Sequence, residues 1–329
     1  MLVDNHGREI SYVRLAVTDR CNLRCFYCMP EEGIRYLPKK ELLSFEEITR
    51  LMSILAPLGV SKVRFTGGEP FVRKDFMDLV NQVSGIDGIT DVHLTTNGVL
   101  TAPYVGQLKE AGVKSVNLSL DTLDRERFKT ITRRDEFDNV MDTLNLLTKA
   151  GFKVKINAVV MEGKNIDDIL PLVELTRDKN IDVRFIEEMP FNGEGSHYPV
   201  LTWTYRKIMD YIKLTYPNID KLKDEANSTS YNYRINGHLG SIGVIAAFSR
   251  TFCGTCNRIR VTAQGTLKTC LYDNGVLNIR DLMRTGQTDE QIRQALTQAF
   301  SNRAKDGFEA EKNRGTGVGV SESMSTIGG

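Results

Sequence analysis

Between residues 13 and 185 the chain repeats one pattern of hydrophobic and polar positions. Short stretches with an apolar residue at every second position alternate with longer stretches that are apolar at every third or fourth position. The first period predicts a strand and the second predicts a helix. The predicted strands lie at 13–17, 63–65, 92–94, 116–118, 154–156 and 183–185. Strands that alternate with helices indicate a parallel sheet, and six such units indicate a whole or partial barrel.

Residues with special backbone preferences mark the ends of the predicted helices. Ser44 and Glu47 form the sequence pattern of a capping box at the start of the first helix. A helix commonly ends with one residue at positive φ, which glycine and asparagine tolerate best. The predicted terminators are Gly59, Gly88, Gly112, Gly151 and Asn180.

The two faces of the predicted sheet differ in polarity. One face is apolar throughout and is expected to lie under the helices. The other face is largely polar, with Arg14, Thr18, Arg64, Thr66, His93, Thr95, Asn117, Ser119, Lys155, Asn157 and Arg184. Unpaired buried charge is very costly, so this face is expected to contact water or an anionic ligand. A one-sided sheet with a solvated face is the alternative, although parallel sheets are usually covered on both faces.

Polar and glycine-rich segments follow several predicted strands, at the edge where barrel enzymes place their sites. The segment 66–70, Thr-Gly-Gly-Glu-Pro, follows the second strand. Its glycines would let a ligand approach the backbone closely and would leave amides free to donate. The chain lacks a GxxxxGK motif followed by Ser or Thr, which excludes a phosphate-loop NTPase.

Composition sets the broad class of protein. The 329 residues are 41% hydrophobic and 26% charged, as in a globular chain of about two domains. The net charge of +1 implies no general attraction to nucleic acid or to an anionic membrane. No apolar run approaches the roughly twenty residues of a membrane span, and the charged N-terminus is unlike a signal peptide. A cytoplasmic protein is therefore expected.

The six cysteines form two triplets, which in a reducing compartment indicate two metal sites. Cys21, Cys25 and Cys28 follow the first strand, with spacing close enough to wrap one compact group. Three thiolates on a cubane iron–sulfur cluster would leave one iron without a protein ligand. A structural zinc site is the alternative, with His6 as the nearby candidate for a fourth ligand.

The second triplet consists of Cys253, Cys256 and Cys270. A predicted strand follows Cys256, with Arg258 and Arg260 on one face and a hairpin turn at 264–265. Zinc competes with a cluster here too, because a Cys-x2-Cys pair with a distant third cysteine suits it. His238 is then the candidate for the fourth ligand.

The segment 190–240 has little periodicity and is predicted to be irregular. We place a domain boundary near residue 225, which gives a barrel domain at 1–225 and a C-terminal region at 226–329. A strand at 242–248 and a helix at 289–302 are predicted in the second region. The tail at 315–329 is rich in Gly, Ser and Thr, a composition typical of disorder.

Several motifs together resemble one family. Cys-x3-Cys-x2-Cys with an aromatic residue before the last cysteine is similar to the radical S-adenosylmethionine signature. The sequences around Arg14, Thr66, Arg184 and Cys253, the thirteen residues between Cys256 and Cys270, and the terminal Gly-Gly resemble the GTP 3′,8-cyclase family. The resemblance runs over essentially the full length. It implies an α/β fold with an incomplete (β/α)6 TIM-type barrel and a C-terminal α+β region carrying a second Fe–S cluster.

The resemblance also implies a role for individual residues. Two 4Fe–4S clusters would be held by the two triplets, and Gly328 and Gly329 would insert toward the active site beside the catalytic Arg258 and Arg260. The implied contacts of S-adenosyl-L-methionine are Tyr27, Gly68, Ser119 and Met189. The implied contacts of GTP are Arg14, Arg64, Thr95, Lys155, Arg184, Arg258 and Arg260.

The implied activity is that of a lyase of molybdenum cofactor biosynthesis. A 5′-deoxyadenosyl radical would remove hydrogen from ribose C3′ of GTP, and C3′ would then join guanine C8. A downstream pterin-forming synthase and a low-potential electron donor are the implied partners, and a homodimer is one of the oligomeric states left open. Another radical enzyme with an auxiliary cluster, acting on peptides or tRNA, is an alternative. A non-catalytic zinc- or cluster-bearing binding protein is a further one.

Overall fold

The computed structural model describes residues 1–193, 200–314 and 322–329. Within these ranges one continuous sheet contains twelve strands. Its strands are β1 Tyr12–Ala16, β2 Lys62–Thr66, β3 Asp91–Thr96, β4 Ser115–Ser119, β5 Lys153–Val160, β6 Asp182–Glu187, β7 Ile219–Lys221, β8 Ser230–Ile235, β9 Ser241–Ile245, β10 Arg258–Val261, β11 Thr266–Lys268 and β12 Leu277–Asn278.

Eleven α-helices surround this sheet in the described ranges. They are α1 Phe45–Leu55, α2 Phe76–Ser84, α3 Val105–Glu110, α4 Arg125–Thr132, α5 Phe137–Lys149, α6 Ile169–Asp178, α7 Tyr205–Thr215, α8 Ile279–Arg284, α9 Asp289–Phe300, α10 Gly307–Asn313 and α11 Met324–Ile327.

Strands β1 to β6 are parallel neighbours in chain order, joined by the predicted helical connections. This arrangement confirms the partial barrel of six strand–helix units. The sheet continues beyond both of its sides: β10 pairs in parallel with β1, and β9 pairs in parallel with β6. The outermost strands, β12 and β7, are added antiparallel to their neighbours.

The helix boundaries largely follow the local sequence. Ser44 accepts a hydrogen bond from the Glu47 amide, and the Glu47 carboxylate accepts one from the Ser44 amide, so the capping box is confirmed. The four predicted glycine terminators all have positive φ. Asn180 does not, because α6 ends at Asp178 and the following residue, Lys179, is already extended. The prediction of a left-handed residue at Asn180 was therefore wrong.

The apolar face of the sheet forms the main core, as predicted. Val13, Val63, Val116, Val154 and Val183 are all fully buried and belong to one hydrophobic cluster with the inner faces of the helices. Burial of this surface is the main source of stability for such a layered fold. The opposite, polar face is left free to line a cavity.

The segment predicted to be irregular contains a helix and two strands. In α7 the apolar residues Ile208, Met209 and Ile212 are buried at helical spacing, and Thr204 caps the helix by accepting from the Lys207 amide. Strands β7 and β8 form an antiparallel pair. This prediction was wrong because only part of the segment is polar. The domain boundary near 225 stays a prediction, and residues on both sides of it contribute to the same sheet.

Candidate active site

A cavity of about 280 Å³ lies against the polar face of the sheet. The cationic side chains predicted for this face line it: Arg14 from β1, Arg64 from β2, Lys155 from β5 and Arg184 from β6. Arg258 and Arg260 join them, because β10 runs beside β1 with Arg260 aligned to Arg14. The strand periodicity therefore brings these six predicted residues to one place.

The cavity has a strong excess of positive charge. In the described chain nine arginine and lysine side chains line it, together with one carboxylate side chain, that of Glu225. Burial and the nearby Arg260 lower the pKa of Arg14 to about 9. Burial and Arg184 lower the pKa of Lys155 to about 7. Such shifts indicate that counter-charge is incomplete, with the Lys155 ammonium 4.0 Å from the Asp182 carboxylate. An anionic ligand would therefore be stabilised here.

Several lining groups have unused hydrogen-bonding capacity. Arg64 is engaged, since its Nε donates to the Tyr12 hydroxyl at 2.8 Å and its Nη1 donates to the Leu94 carbonyl at 2.8 Å. In contrast, Nε of Arg14 and Nε of Arg184 are buried with no partner among the described groups. Buried polar groups normally have partners, so these donors favour a ligand rich in acceptor oxygens.

The second cysteine triplet lines the same cavity. The Cys256 amide donates to the Cys253 carbonyl at 3.2 Å, and the Asp273 carboxylate accepts from the Cys270 amide at 2.8 Å. Arg258 Nη2 donates to the Cys256 sulfur at 3.2 Å. Although burial raises the pKa of Cys256, Arg258 and Arg303 lower it to about 7. Among the three thiols only Cys256 is favoured as the thiolate, the form that binds iron, because burial raises the pKa of Cys253 and raises that of Cys270 to about 11.

The first triplet lies on the loop after β1, and the two glycines of 66–70 hold that loop. A Cβ atom on Gly67 would lie 2.4 Å from the Thr18 carbonyl oxygen, and one on Gly68 would lie 2.1 Å from that of Arg20. The Gly68 amide donates to Thr18 at 2.8 Å. The expectation of a free amide at Gly68 was wrong, because the backbone of the cysteine loop, rather than a ligand, lies against these glycines.

Carboxyl groups lie close to the thiols of the first triplet, while Arg24 Nη1 donates to the Cys21 carbonyl at 2.6 Å. Burial and the nearby Glu69 raise the pKa of Cys21 to about 12. Burial and Asp121 raise the pKa of Cys25, and burial raises that of Cys28 to about 11. These thiols would stay protonated without a metal, and binding iron releases such protons. The sulfur of Cys21 accepts from the Leu23 amide at 3.4 Å, as ligand sulfurs of clusters do.

Neither histidine proposed as a fourth zinc ligand faces its triplet. His6 Nε2 lies 2.9 Å from the Arg303 carbonyl oxygen, and His238 Nδ1 lies 2.8 Å from the Thr176 hydroxyl. Across the described residues, no three His, Cys, Asp or Glu side chains are grouped so that they could hold a single metal ion. Three sulfurs without a fourth ligand fit a cluster with an open iron better than a closed zinc site.

The residues implied to bind S-adenosylmethionine are not all brought together. Tyr27 and Met189 line a second cleft of about 410 Å³, and Met189 also lines the cationic cavity. Ser119 ends β4 and is aligned with Asn157, a cavity residue. Gly68 lies beside the cysteine loop, and Cys21, Cys25 and Cys28 do not line the cavity. Thr95, implied to bind GTP, is half-buried on β3 without lining the cavity, and its hydroxyl has no partner among the described residues.

The end of the chain reaches the cavity. The Thr66 hydroxyl donates to the Gly329 carbonyl at 2.8 Å, Arg14 donates to the same carbonyl, and Arg260 donates to that of Gly328. Burial of Ile327 in a small hydrophobic cluster fixes this segment. Composition alone was therefore a wrong guide for 322–329, while the predicted disorder of 315–321 falls outside the described residues.

Some residues that line the cavity were not predicted from the sequence. Tyr12 and Lys62 stand two positions before Arg14 and Arg64, so the period of two could have found them. Lys268 is fully buried, aligned with Arg260 in the antiparallel pair and bound to Glu322 at 2.6 Å. The position of Lys268 depends on the fold of the C-terminal tail, so no local sequence pattern predicts it.

The fold and the site define a class of protein. Residues 15–176 match the Radical SAM superfamily, and residues 181–308 match the family described as Molybdenum Cofactor Synthesis C. The crystal structure of SuiB from Streptococcus suis is similar with a TM-score of 0.64 at 14% identity, covering 90% of this chain and 66% of that one. The structure of anSMEcpe with bound AdoMet has a TM-score of 0.56 at 17% identity, over 89% of this chain and 80% of that one. These likenesses support the radical SAM fold.

Curated relatives of higher sequence identity define the family more closely than the structural similarities do. The chain is 42% identical to the mitochondrial GTP 3′,8-cyclase of Arabidopsis thaliana over 92% of its length and 78% of the relative. It is 40% identical to the GTP 3′,8-cyclase of Alkaliphilus oremlandii over 99% of both chains. It is also 42% identical to molybdenum cofactor biosynthesis protein 1 of Mus musculus, of which it spans 48%. The chain thus spans about half the length of several curated relatives.

The chain belongs to the GTP 3′,8-cyclase family of radical SAM enzymes. The cofactors are S-adenosyl-L-methionine and two 4Fe–4S clusters. The described parts of the chain contain no helix with the length and apolar character needed to cross a bilayer.

Proposed function

We propose that this chain converts GTP to (8S)-3′,8-cyclo-7,8-dihydroguanosine 5′-triphosphate, the first step of molybdenum cofactor biosynthesis. The observation that carries the proposal is the cationic cavity that a cysteine triplet lines directly. A nucleoside triphosphate has both the negative charge for the arginines and a base with nitrogen and oxygen ligands for an open iron.

The first triplet is assigned to the cluster that binds S-adenosylmethionine, with Tyr27, Gly68, Ser119 and Met189 as contacts of that cofactor. When bound there and reduced by one electron, S-adenosylmethionine supplies a 5′-deoxyadenosyl radical. Tyr27 is held in place because its hydroxyl donates to the Asp121 carboxylate at 2.8 Å. Met189 lines both the cleft and the cavity, which supports its assignment as a contact close to both the cofactor and the substrate.

Arginine and lysine side chains are assigned to the triphosphate. Planar guanidinium groups match the oxygen geometry of phosphate, and Arg14 and Arg184 each have a buried Nε with no partner in the described chain. Lys155 would regain full protonation beside a phosphate, since opposite charge raises the pKa of a lysine. Arg64 and Thr95 complete the proposed contacts.

Arg258 and Arg260 are assigned to the guanine end of GTP. They lie on β10 beside the second triplet, and Arg258 contacts the Cys256 sulfur. Gly328 and Gly329 hold Arg260 and Arg14 through their carbonyl groups, so we assign them the role of orienting these two guanidinium groups. The reaction removes a hydrogen atom from ribose C3′ and joins C3′ to guanine C8, and the radical left on the base takes up one electron from the low-potential donor and one proton. Bond formation requires a rigid position of the ribose between the two sites.

The proposed partners are a low-potential electron donor and a pterin-forming synthase that consumes the cyclised product. The proposed compartment is the cytoplasm. All six cysteines have free thiols, which agrees with a reducing environment.

The direct test is anaerobic incubation of the reconstituted chain with reductant, S-adenosylmethionine and GTP deuterated at C3′. We expect deuterium in 5′-deoxyadenosine, with the cyclised isomer of GTP separated by chromatography before mass analysis. Cleavage of S-adenosylmethionine without deuterium transfer would contradict the proposal and point to another radical reaction. GTP deuterated at C2′ is the matched control and should leave 5′-deoxyadenosine unlabelled.

A further inference from the structure

Three charged side chains lie behind the second cysteine triplet, on the side away from the cavity. Asp4 comes from the N-terminal segment, Arg8 from the same segment, and Arg303 from the loop after α9. Their side chains are only 0%, 8% and 3% exposed, and none of the three lines the cavity. The proposed reaction assigns them no task.

Arg303 joins the two segments that hold Cys256 and Cys270. Its Nη1 donates to the Cys256 carbonyl at 2.9 Å, and its Nη2 lies 3.4 Å from the Cys256 sulfur. Its Nε donates to the carbonyl of Thr269, the residue before Cys270, at 3.0 Å. The Nη2 group also donates to the Arg258 carbonyl at 2.9 Å. One planar guanidinium therefore fixes the ligand loop and contacts a ligand sulfur directly.

Asp4 and Arg8 hold Arg303 and the third ligand in place. Arg303 Nη1 lies 3.1 Å from Asp4 Oδ2, and Arg8 Nε donates to the same oxygen at 2.6 Å. Arg8 Nη1 in turn donates to the Cys253 carbonyl at 3.0 Å. Two buried arginines and one carboxylate leave one positive charge in excess. Buried charge is costly unless it is compensated, and a cluster with three thiolates supplies negative charge at this place.

Arg258 contacts the same sulfur from the cavity side, at 3.2 Å. No other hydrogen bond of its side chain is found in the described part of the chain, so Arg258 is free to turn toward a substrate. Arg303 is not free, because its remaining donors are bound to backbone carbonyls and to Asp4. Arg303 is thus a constant donor to the Cys256 sulfur, and Arg258 is an exchangeable one.

We propose that Arg303 is a positioning residue that donates to the Cys256 sulfur and raises the reduction potential of the second cluster. Hydrogen bonds to ligand sulfurs and nearby positive charge both favour the reduced, more negative form of a cluster. Asp4 keeps the guanidinium of Arg303 oriented. The proposal rests on the assignment of the second triplet to a cluster.

The test measures the reduction potential of the second cluster alone, by a redox titration followed by electron paramagnetic resonance. The full chain with Cys21, Cys25 and Cys28 changed to alanine is the background. Arg303→Gln removes both the charge and the planar guanidinium with its several donors. Arg303→Lys keeps the charge but loses the guanidinium. Arg206→Gln removes an exposed charge on α7 and is the matched control.

We expect a shift to more negative potential in Arg303→Gln, a smaller shift in the same direction in Arg303→Lys, and none in Arg206→Gln. Unshifted potentials with lower iron retention or thermal stability would overturn the proposal and leave Arg303 a purely structural support. If Arg303→Gln holds no cluster, the reduction potential of Arg303→Lys decides: a negative shift supports the proposal and an unshifted potential overturns it. A background chain that binds no iron at Cys253, Cys256 and Cys270 would instead refute the cluster assignment and this inference with it.

Discussion

The two cysteine triplets have the same donor atoms but differ in the charged groups beside them, because two arginines contact a sulfur of the second triplet. Around the first triplet, burial and the carboxylates of Glu69 and Asp121 raise the pKa of the thiols. Around the second, burial likewise raises the pKa of Cys253 and of Cys270, but Arg258 and Arg303 overcome the effect of burial at Cys256 and lower its pKa to about 7. The electrostatic difference lies in the neighbours, since both triplets are half-buried.

This difference indicates that the two clusters have different roles. Negative neighbours make a cluster harder to reduce and hence a stronger reductant, which suits one-electron cleavage of a sulfonium. Positive neighbours stabilise added negative charge and attract an anionic substrate. Each of the following experiments tests one side of this comparison against the other.

The largest effect is expected from removing one ligand in each triplet. Cys270→Ser should lose the second cluster and all cyclisation of GTP, while cleavage of S-adenosylmethionine persists. Cys28→Ser should lose both activities, because radical formation depends on the first site. Iron analysis and quantification of 5′-deoxyadenosine measure the outcome, and a full iron content in Cys270→Ser would refute the ligand assignment.

Arg258→Ala removes the exchangeable cation beside the second triplet. We expect GTP cyclisation to fall about 30-fold or more, since truncating one partner of a charged contact that the substrate buries costs about 2–5 kcal/mol. Cleavage of S-adenosylmethionine should change little. Arg206→Ala, on the exposed face of α7, is the control for loss of charge. Cyclisation at the parental rate would remove the proposed role of Arg258.

Asp121→Asn tests the acidic side of the comparison. Asp121 is buried, accepts from the Tyr27 hydroxyl at 2.8 Å and from the Val159 amide at 2.8 Å, and has a pKa raised by burial to about 6. The isosteric amide keeps the space but removes the charge. We expect a more positive potential at the first cluster and cleavage of S-adenosylmethionine slower by about tenfold. A more negative potential would contradict the comparison.

The smallest effect concerns protons taken up with GTP. Burial and Arg184 lower the pKa of Lys155 to about 7 in the free protein, and a bound phosphate should raise it. Above pH 7 binding then requires proton uptake, so affinity falls as pH rises. Calorimetry of a non-reactive GTP analogue in buffers of different ionisation enthalpy measures this uptake.

Lys155→Met should lose most of that uptake, whereas Lys213→Met, at an exposed position of α7, should keep it. Equal uptake in both variants would exclude Lys155 as its source.

Residues close in sequence were the predictable part of this molecule. The period of two along β1 to β6 placed Arg14, Arg64, Lys155 and Arg184 on one face, because alternation is a local property of a strand. Cysteine spacing gave the two triplets for the same reason. The capping box at Ser44 needed only four residues of sequence.

The remainder depends on contacts between distant segments. No local pattern shows that Arg303 contacts Cys256 or that Lys268 binds Glu322. The ordered tail was misjudged because its composition is polar, while Ile327 and Met324 pack in a cluster with residues distant in sequence. Gly68 was assigned a free amide because the approach of the cysteine loop is a tertiary event.

The pairing of β1 with β10 has a consequence for biosynthesis of the protein. The register joins Tyr12 to Arg258, so β1 remains an unpaired edge on one side until most of the polypeptide has left the ribosome. The segment with Cys21, Cys25 and Cys28 can fold against β2 long before Cys270 is synthesised. A chain stalled between the two cysteine triplets would therefore expose one side of β1 as an unpaired strand edge that can pair with another chain.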